Sequence, residues 1–138
     1  MKWIILIGTF IVVFPFCNDN SEGVPVPFID SAKKYKDYIK AIPGESDSIP
    51  EKERQKGEVL IAYSDCYTCH KEDKRSVGPA FKDIAKRYPV NKVYIEMLAH
   101  KVIMGGSRSW GTPVMDPHPK LSFEDSKMMV TYILSLKN

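Results

Sequence analysis

Apolar and polar residues from residue 48 onward recur with the period of helices, and Gly and Pro residues separate the periodic stretches. Helices are expected to begin near Ser48, Phe81, Asn91 and Ser122. Pro89 ends the second pattern, and Gly105 ends the third because glycine commonly follows the last turn of a helix. We therefore expect an all-α domain over residues 48–138, with long loops around a central object.

The first and last of these helices are expected to pack against each other. Both begin with a capping-box pattern, Ser48-x-x-Glu51 and Ser122-x-x-Asp125. Gly57 lies on one face of the first helix, where the missing side chain lets another backbone come close. The last helix is the candidate partner because its apolar residues form a stripe at helical spacing. Packing of the two helices would close the fold.

Residues 1–17 have the layout of an export signal or membrane anchor. A positive charge at Lys2 precedes a nearly all apolar run from Trp3 to Phe16, and polar residues follow Cys17. The run is shorter than the about 20 residues that a bilayer span needs. A cysteine at this place resembles the lipidation cysteine of bacterial lipoproteins. Lipidation at Cys17, retention as an uncleaved anchor and cleavage to a soluble form all stay open, and each leaves the rest of the chain outside the cytoplasm.

Residues 18–47 are expected to form a tether that contains a short amphipathic helix. The prolines at 24–27 favour an extended chain, and Pro43-Gly44 ends the helical pattern. The apolar stripe of this helix consists of Tyr35, Tyr38, Ile39 and Ile42. It either packs on the following domain or serves as a docking helix for a partner protein.

Composition narrows the function only a little. The chain of 138 residues has room for one domain and its extensions. The formal charge of +3 is mild and the charges are interspersed, so no nucleic-acid partner is indicated. Two of the three cysteines belong to one motif, and the third is Cys17.

The strongest chemical signal is the C-x-x-C-H motif Cys66-Tyr67-Thr68-Cys69-His70. Two thiols at this spacing can each add across a vinyl group of one haem, while the adjacent imidazole reaches the iron. A zinc ribbon would need a second cysteine pair, which the sequence lacks, and a thioredoxin-like motif would follow a strand. A disulfide between Cys66 and Cys69 is a further alternative. The motif predicts one covalently bound haem c with His70 as an iron ligand.

A haem iron held by His70 has a sixth position, and its occupant decides the chemistry. Met115 is the candidate, because it lies in a loop over residues 107–121 that is rich in Gly and Pro and can return a side chain to the haem face. His118 is the main competitor, since it lies in the same loop. The predicted metal ligands are therefore His70 and Met115.

Over residues 51–138 the chain resembles a class I c-type cytochrome of the short bacterial kind. The matching motifs are Cys66-x-x-Cys69-His70, Gly78-Pro79-Ala80, Trp110-Gly111-x-Pro113-x-Met115 and the terminal helix. The resemblance implies the small cytochrome c fold, with helices and loops wrapped around one haem. It also implies that the carbonyl of Pro79 accepts the Nδ1 proton of His70 and that Trp110 donates toward a haem propionate. On residue type alone, Pro79 could instead end the loop, and Trp110 could bury a large ring.

These features predict a mono-haem electron carrier rather than an enzyme. Its expected partners are redox proteins such as a respiratory complex, a terminal oxidase or an exported dehydrogenase, on the periplasmic side of a membrane or at the cell exterior. A basic rim that could orient an acidic partner consists of Lys71, Lys74, Arg75, Lys101 and Arg108. The alternatives are a haem sensor or gas-binding module with an open or weakly held sixth position, and a haem peroxidase, for which no distal acid-base pair is evident.

Overall fold

The structure is a computed structural model that describes residues 31–137. Within that range its elements are α1 (Ser31–Ile39), α2 (Glu51–Ala62), α3 (Cys66–Cys69), α4 (Phe81–Arg87), α5 (Lys92–Met104), β1 (Gly106–Arg108), β2 (Gly111–Met115) and α6 (Phe123–Ser135). The predicted export signal, Cys17 and the first part of the tether lie outside the described residues. Across residues 31–137, none of the helices is both long and apolar enough to cross a membrane.

Helix α6 forms the centre of the fold and packs against α2, α5 and α4. Its buried residues are Ser126, Met129, Val130, Thr131, Tyr132, Ile133 and Leu134. Helices α2 and α6 come close at Gly57 of α2, where an added Cβ would collide with the carbonyl oxygen of Met128 and lie 2.8 Å from Cβ of Tyr132. The predicted packing of the first domain helix against the last is therefore confirmed, and Gly57 makes it possible.

The two predicted capping boxes have different outcomes. Ser122 caps α6, because its Oγ accepts a hydrogen bond from the backbone N–H of Asp125 at 3.0 Å. The prediction for Ser48 is wrong: α2 begins at Glu51, and the residue before it is Pro50, with no side-chain cap. A residue that precedes proline is restricted to extended conformations, so the chain enters α2 extended and Ser48 stays away from the first turn.

A short antiparallel hairpin of β1 and β2 stands in the region that was expected to be an irregular loop. Gly106 pairs with Met115 and Arg108 pairs with Gly111, which leaves a two-residue turn at Ser109-Trp110. Positive φ angles at Gly106 (134°), Arg108 (72°) and Gly111 (98°) let the chain reverse so tightly. The hairpin adds a strand pair to a domain that is otherwise helical as predicted.

Helix α1 and the chain after it lie against the domain. The backbone N–H of Ile42 donates to the carbonyl of Arg87 at 2.8 Å, and that of Asp47 donates to the carbonyl of Val90 at 2.6 Å. In α1, the hydroxyl of Tyr35 donates to Oδ2 of Asp83 at 2.7 Å. Of the two expectations for the amphipathic helix, packing on the domain is the one that the structure shows.

Candidate haem-binding site

One cavity brings together all the residues that the sequence predicted for the cofactor. Its volume is about 600 Å³, within the range of about 300–1,000 Å³ that is usual for ligand sites. The predicted residues in its lining are Cys66, Cys69, His70, Pro79, Trp110 and Met115. Its apolar walls include Ile61, Phe81, Ile84, Leu98, Val102, Met129, Val130 and Ile133. The cavity therefore suits a large, mostly apolar group with a few polar contacts.

The two cysteines lie on the single turn of α3, three residues apart, so that both thiols can face one group. Both are free thiols. The hydroxyl of Ser64 lies 2.9 Å from Sγ of Cys66 and 2.8 Å from the carbonyl oxygen of Ile61. Burial raises the pKa of the Cys66 thiol, which keeps it protonated at neutral pH.

His70 follows α3 directly and is held from both sides. Its Nδ1 lies 2.7 Å from the carbonyl oxygen of Pro79, and its ring stacks on Phe81 at 5.3 Å between centroids. A carbonyl oxygen only accepts, so Nδ1 carries the proton and Nε2 keeps its lone pair. Burial is the main cause that lowers the pKa of His70, and the nearby His118 also lowers it, while the hydrogen bond to Pro79 acts in the opposite direction. The ring is therefore neutral at neutral pH, the form that binds metals.

Gly78 leaves the space that this arrangement of His70 requires. An added Cβ at Gly78 would lie 2.5 Å from Cε1 and 2.9 Å from Nδ1 of His70. The N–H of Gly78 also donates to the carbonyl of Cys69 at 2.8 Å, which ties the loop to α3. A side chain at this position would push the imidazole away from Pro79.

The hairpin carries Trp110 in its turn and Met115 at the end of β2. Its base fits against the end of α5 at Gly105, which has a φ of 67°. An added Cβ there would collide with the carbonyl oxygen of Met115. Glycine at the end of α5 thus allows the backbone of Met115 to approach the cavity wall.

His118 also lines the cavity, but both of its ring nitrogens face acceptors. Nδ1 lies 3.3 Å from the carbonyl oxygen of Val102, and Nε2 lies 3.2 Å from Oδ1 of Asp65. Both ring nitrogens of His118 therefore lie within hydrogen-bonding distance of protein oxygens.

Comparison with known proteins agrees with this geometry. The family model described as Cytochrome c matches residues 54–137. The chain belongs to the cytochrome c family. It is 38% identical over 78 residues to cytochrome c-551 of Allochromatium vinosum, a match that covers 56% of this chain and 83% of that protein. It is 36% identical over 80 residues to cytochrome c-552 of Hydrogenobacter thermophilus, covering 58% of this chain and 81% of the relative.

Solved structures also resemble this cytochrome c. The crystal structure of wild-type Nitrosomonas europaea cytochrome c552 aligns with a TM-score of 0.54 and 36% sequence identity. The alignment covers 58% of this chain and 99% of that one. The part of this chain that lies outside the alignment has no counterpart in that small cytochrome. The comparison confirms the predicted small cytochrome c fold.

The cofactor of this cytochrome c is one covalently attached haem c, and the residues present fit it. The cavity offers two free thiols on one helical turn and a neutral imidazole within apolar walls. These are the groups that thioether attachment and iron ligation require. The protein is therefore a mono-haem c-type cytochrome, a member of a family of electron carriers.

The structure identifies supporting residues that sequence reasoning missed. Phe81 stacks on His70, and its position directly after Gly78-Pro79-Ala80 was an available signal. The guanidinium of Arg87 lies 4.9 Å from the ring centroid of Trp110, and its Nη1 donates to the carbonyl of Ser109 at 2.8 Å. No sequence pattern points to Arg87, because it contacts the hairpin only through the tertiary fold.

The residues of the predicted basic rim do not all lie beside the cavity. Lys101 and Arg108 line the cavity. Arg75 instead lies 4.4 Å from the ring centroid of Tyr35, and Nζ of Lys71 donates to the carbonyl of Tyr67 at 2.8 Å. The positive charge beside the cavity therefore comes from Lys101 and Arg108.

Proposed function

We propose that this cytochrome c transfers single electrons between redox proteins, with His70 and Met115 as the iron ligands. The observation that carries the proposal is that His70, with Nε2 unengaged by Pro79, and Met115 line one cavity together with both cysteines. When bound, the haem supplies an iron that alternates between the ferrous and ferric states. The chain's task is to keep its ligands in place in both states and to exclude water. It makes and breaks no substrate bond.

The remaining site residues attach and orient the group. Cys66 and Cys69 provide the two thioether sulfurs, and the carbonyl of Pro79 fixes the tautomer of His70. Trp110 would donate its indole N–H to a haem propionate, and the guanidinium of Arg87 beside its ring would keep the indole in place. Replacing Cys66 or Cys69 with Ala would leave one thioether, which the spectrum of the denatured haem protein reports.

Met115 is preferred over His118 as the sixth ligand. The contacts of His118 with Val102 and Asp65 engage both ring nitrogens, whereas a thioether has few competing hydrogen bonds. A thioether sulfur also stabilises the reduced state of a haem iron.

The test is an optical spectrum of the haem-loaded protein, oxidised and reduced, with and without carbon monoxide. We expect a weak far-red sulfur-to-iron band in the oxidised protein and no change when the gas is added to the reduced protein. Met115→Ala should abolish the band and allow carbon monoxide to bind. Met104→Ala is the matched control, since Met104 also lines the cavity but its side chain is 74% exposed. Gas binding by the unaltered protein would favour a sensor and contradict the electron carrier, and a band that survives Met115→Ala would exclude this ligand.

We also propose that the haem domain acts on the periplasmic side or at the cell exterior, attached to a membrane through lipidated Cys17. The proposal rests on the apolar run before Cys17 and the polar residues after it. A tether raises the local concentration of a carrier near membrane partners such as a respiratory complex, a terminal oxidase or an exported dehydrogenase. Mass spectrometry of the haem protein purified from membranes should show a lipid mass on Cys17, and Cys17→Ser should abolish it. An unmodified Cys17 in the unaltered protein would contradict lipidation at this residue.

A further inference from the structure

Residues 31–49 precede the region that matches the cytochrome c family, which begins at residue 54. They nevertheless contact the domain along most of their length. Backbone hydrogen bonds join Ile42 to Arg87 and Asp47 to Val90, at 2.8 and 2.6 Å. Ile42 and Ile49 add apolar contacts with the core. We call residues 31–49 the strap.

The strap reaches the hairpin that carries Met115. The ring of Tyr35 lies 6.3 Å from that of Trp110, between centroids and at a tilted angle. Tyr38 lies beside Gly111 at the start of β2, where an added Cβ would be 3.7 Å from Cε2 of Tyr38. Two aromatic side chains of α1 thus lie beside the turn, next to the adjacent residues Trp110 and Gly111.

Tyr35 is itself held in place. Its hydroxyl donates to Oδ2 of Asp83 at 2.7 Å, and the guanidinium of Arg75 lies 4.4 Å from its ring centroid. Burial and the bond to Asp83 raise the pKa of Tyr35 to about 12, so the hydroxyl stays a donor throughout the physiological range. Helix α4, which carries Asp83, therefore fixes the ring that packs on Trp110.

The hairpin needs such support. An isolated two-stranded hairpin is marginally stable in water, and β1 contains only three residues. The pairing of β1 with β2 is irregular between Gly106 and Arg108. Contacts from outside the hairpin must therefore restrict its movement, and the contacts at its turn come from Arg87 and the strap.

We propose that the strap holds the hairpin against the cavity and that Tyr35 and Tyr38 are positioning residues for Met115. The inference rests on the proposed role of Met115 as the sixth ligand. The tyrosines do not touch the iron. They pack on the turn, and this packing slows any movement of the hairpin that would withdraw the sulfur.

The test measures how fast imidazole replaces the sixth ligand in the oxidised, haem-loaded full chain, followed by loss of the far-red band. In the double variant Tyr35→Ala, Tyr38→Ala we expect replacement to be about 3- to 10-fold faster, because an aromatic contact of this kind is lost. Tyr35→Phe keeps the ring and loses only the bond to Asp83, so its acceleration should be smaller than that of the double variant. The band itself should be present in all variants before imidazole is added.

Two controls separate positioning from general destabilisation. Ile49→Ala removes core packing from the same strap, far along the chain from the tyrosines, and should lower the urea midpoint without changing the replacement rate. Tyr63→Ala removes a tyrosine that is 91% exposed and should change neither quantity. Replacement at the unaltered rate in the double variant, or an equal acceleration by Ile49→Ala, would overturn the inference. Absence of the far-red band from the unaltered protein would instead refute the ligand assignment.

Discussion

At the scale of single residues, the site depends on how one imidazole is oriented. Pro79 occupies Nδ1 of His70, Phe81 stacks on its ring, and Gly78 leaves the space in which the ring stands. Each of these contacts restricts a different movement of the ring. The result is a neutral side chain with its Nε2 lone pair ready for a metal.

Gly78→Ala should disturb this orientation. The added methyl would lie 2.5 Å from Cε1 of His70, so the ring or the loop must shift. We expect the free energy of unfolding of the haem-loaded protein to fall by about 1–3 kcal/mol, the usual cost of overpacking, and the visible spectrum to change. Urea unfolding and absorption spectra measure both. Val77→Ala, at an adjacent side chain that is 55% exposed, is the control and should change the stability by less than about 0.5 kcal/mol.

At the scale of elements, contacts between helices and caps decide the stability. Helices α2 and α6 approach so closely at Gly57 that backbone meets backbone. A stable N-terminus of α6 also matters, because the buried residues of this helix form much of the core. Both features can be tested by changes that leave the haem cavity alone.

Gly57→Ala should destabilise the protein although alanine favours a helix by about 1 kcal/mol over glycine. The new Cβ would collide with the carbonyl oxygen of Met128, and a backbone group cannot rotate away. We expect a net loss of about 1–3 kcal/mol in the free energy of unfolding, measured with urea. Lys52→Ala, at an exposed position of the same helix, should be close to neutral. A stabilised Gly57→Ala variant would mean that the two helices are farther apart.

The contribution of the α6 cap to the free energy of unfolding should depend on pH. The hydrogen bond from Ser122 is the largest cause that lowers the pKa of Asp125, and Lys56 lowers it further. A lowered folded pKa stabilises the protein above the unfolded value of 3.8, and this stabilisation is lost as the pH falls through the folded pKa. Ser122→Ala should cost about 1 kcal/mol at neutral pH through loss of the backbone cap, the usual effect of removing an N-cap hydroxyl. Loss of the bond to Asp125 should add to this cost above the unfolded pKa.

The difference in the free energy of unfolding between the unaltered protein and Ser122→Ala should become smaller as Asp125 becomes protonated below its unfolded pKa of 3.8. Urea unfolding of both proteins at neutral pH and at about pH 3 measures the change. Ser122→Thr keeps the hydroxyl and is the control, with little expected loss. A difference that is constant with pH would show that only the backbone cap matters.

At the scale of the whole molecule, the position of charge matters more than its sum. The formal charge is only +3, but Lys101 and Arg108 stand at the cavity. Positive side chains there attract an anionic reactant toward the haem, whereas charges elsewhere act only through the net charge.

Changing Lys101 and Arg108 together to Gln should slow oxidation of the reduced protein by ferricyanide several-fold at low ionic strength. The effect should nearly vanish at about 1 M salt, where the screening length is about 3 Å. Stopped-flow rates over a range of salt concentrations test this. The control changes Lys52 and Lys137 to Gln, which alters the net charge equally at residues that do not line the cavity. Equal slowing in both double variants would mean that no local rim exists.

The sequence alone determined the features whose physics is local. The C-x-x-C-H motif places its reactive groups within five consecutive residues, so its chemistry can be read without a fold. Helical periodicity located the domain helices, and the glycine pattern predicted the approach of the first and last helices at Gly57. The cap at Ser122 was predictable because it joins residues three apart, whereas Ser48 failed because Pro50 changes the path of the chain.

Tertiary structure decided what depends on residues that are distant in the chain. Tyr35 and Asp83 are 48 residues apart, and Arg87 and Ser109 are 22 residues apart, so no local sequence pattern predicts either contact. The hairpin escaped prediction because its strands are short and contain the Gly and Pro residues that usually indicate loops. The engagement of both nitrogens of His118 likewise appears only when Asp65 and Val102 are brought together around it. Local chemistry thus identified the haem site, and long-range packing decided how its residues are held.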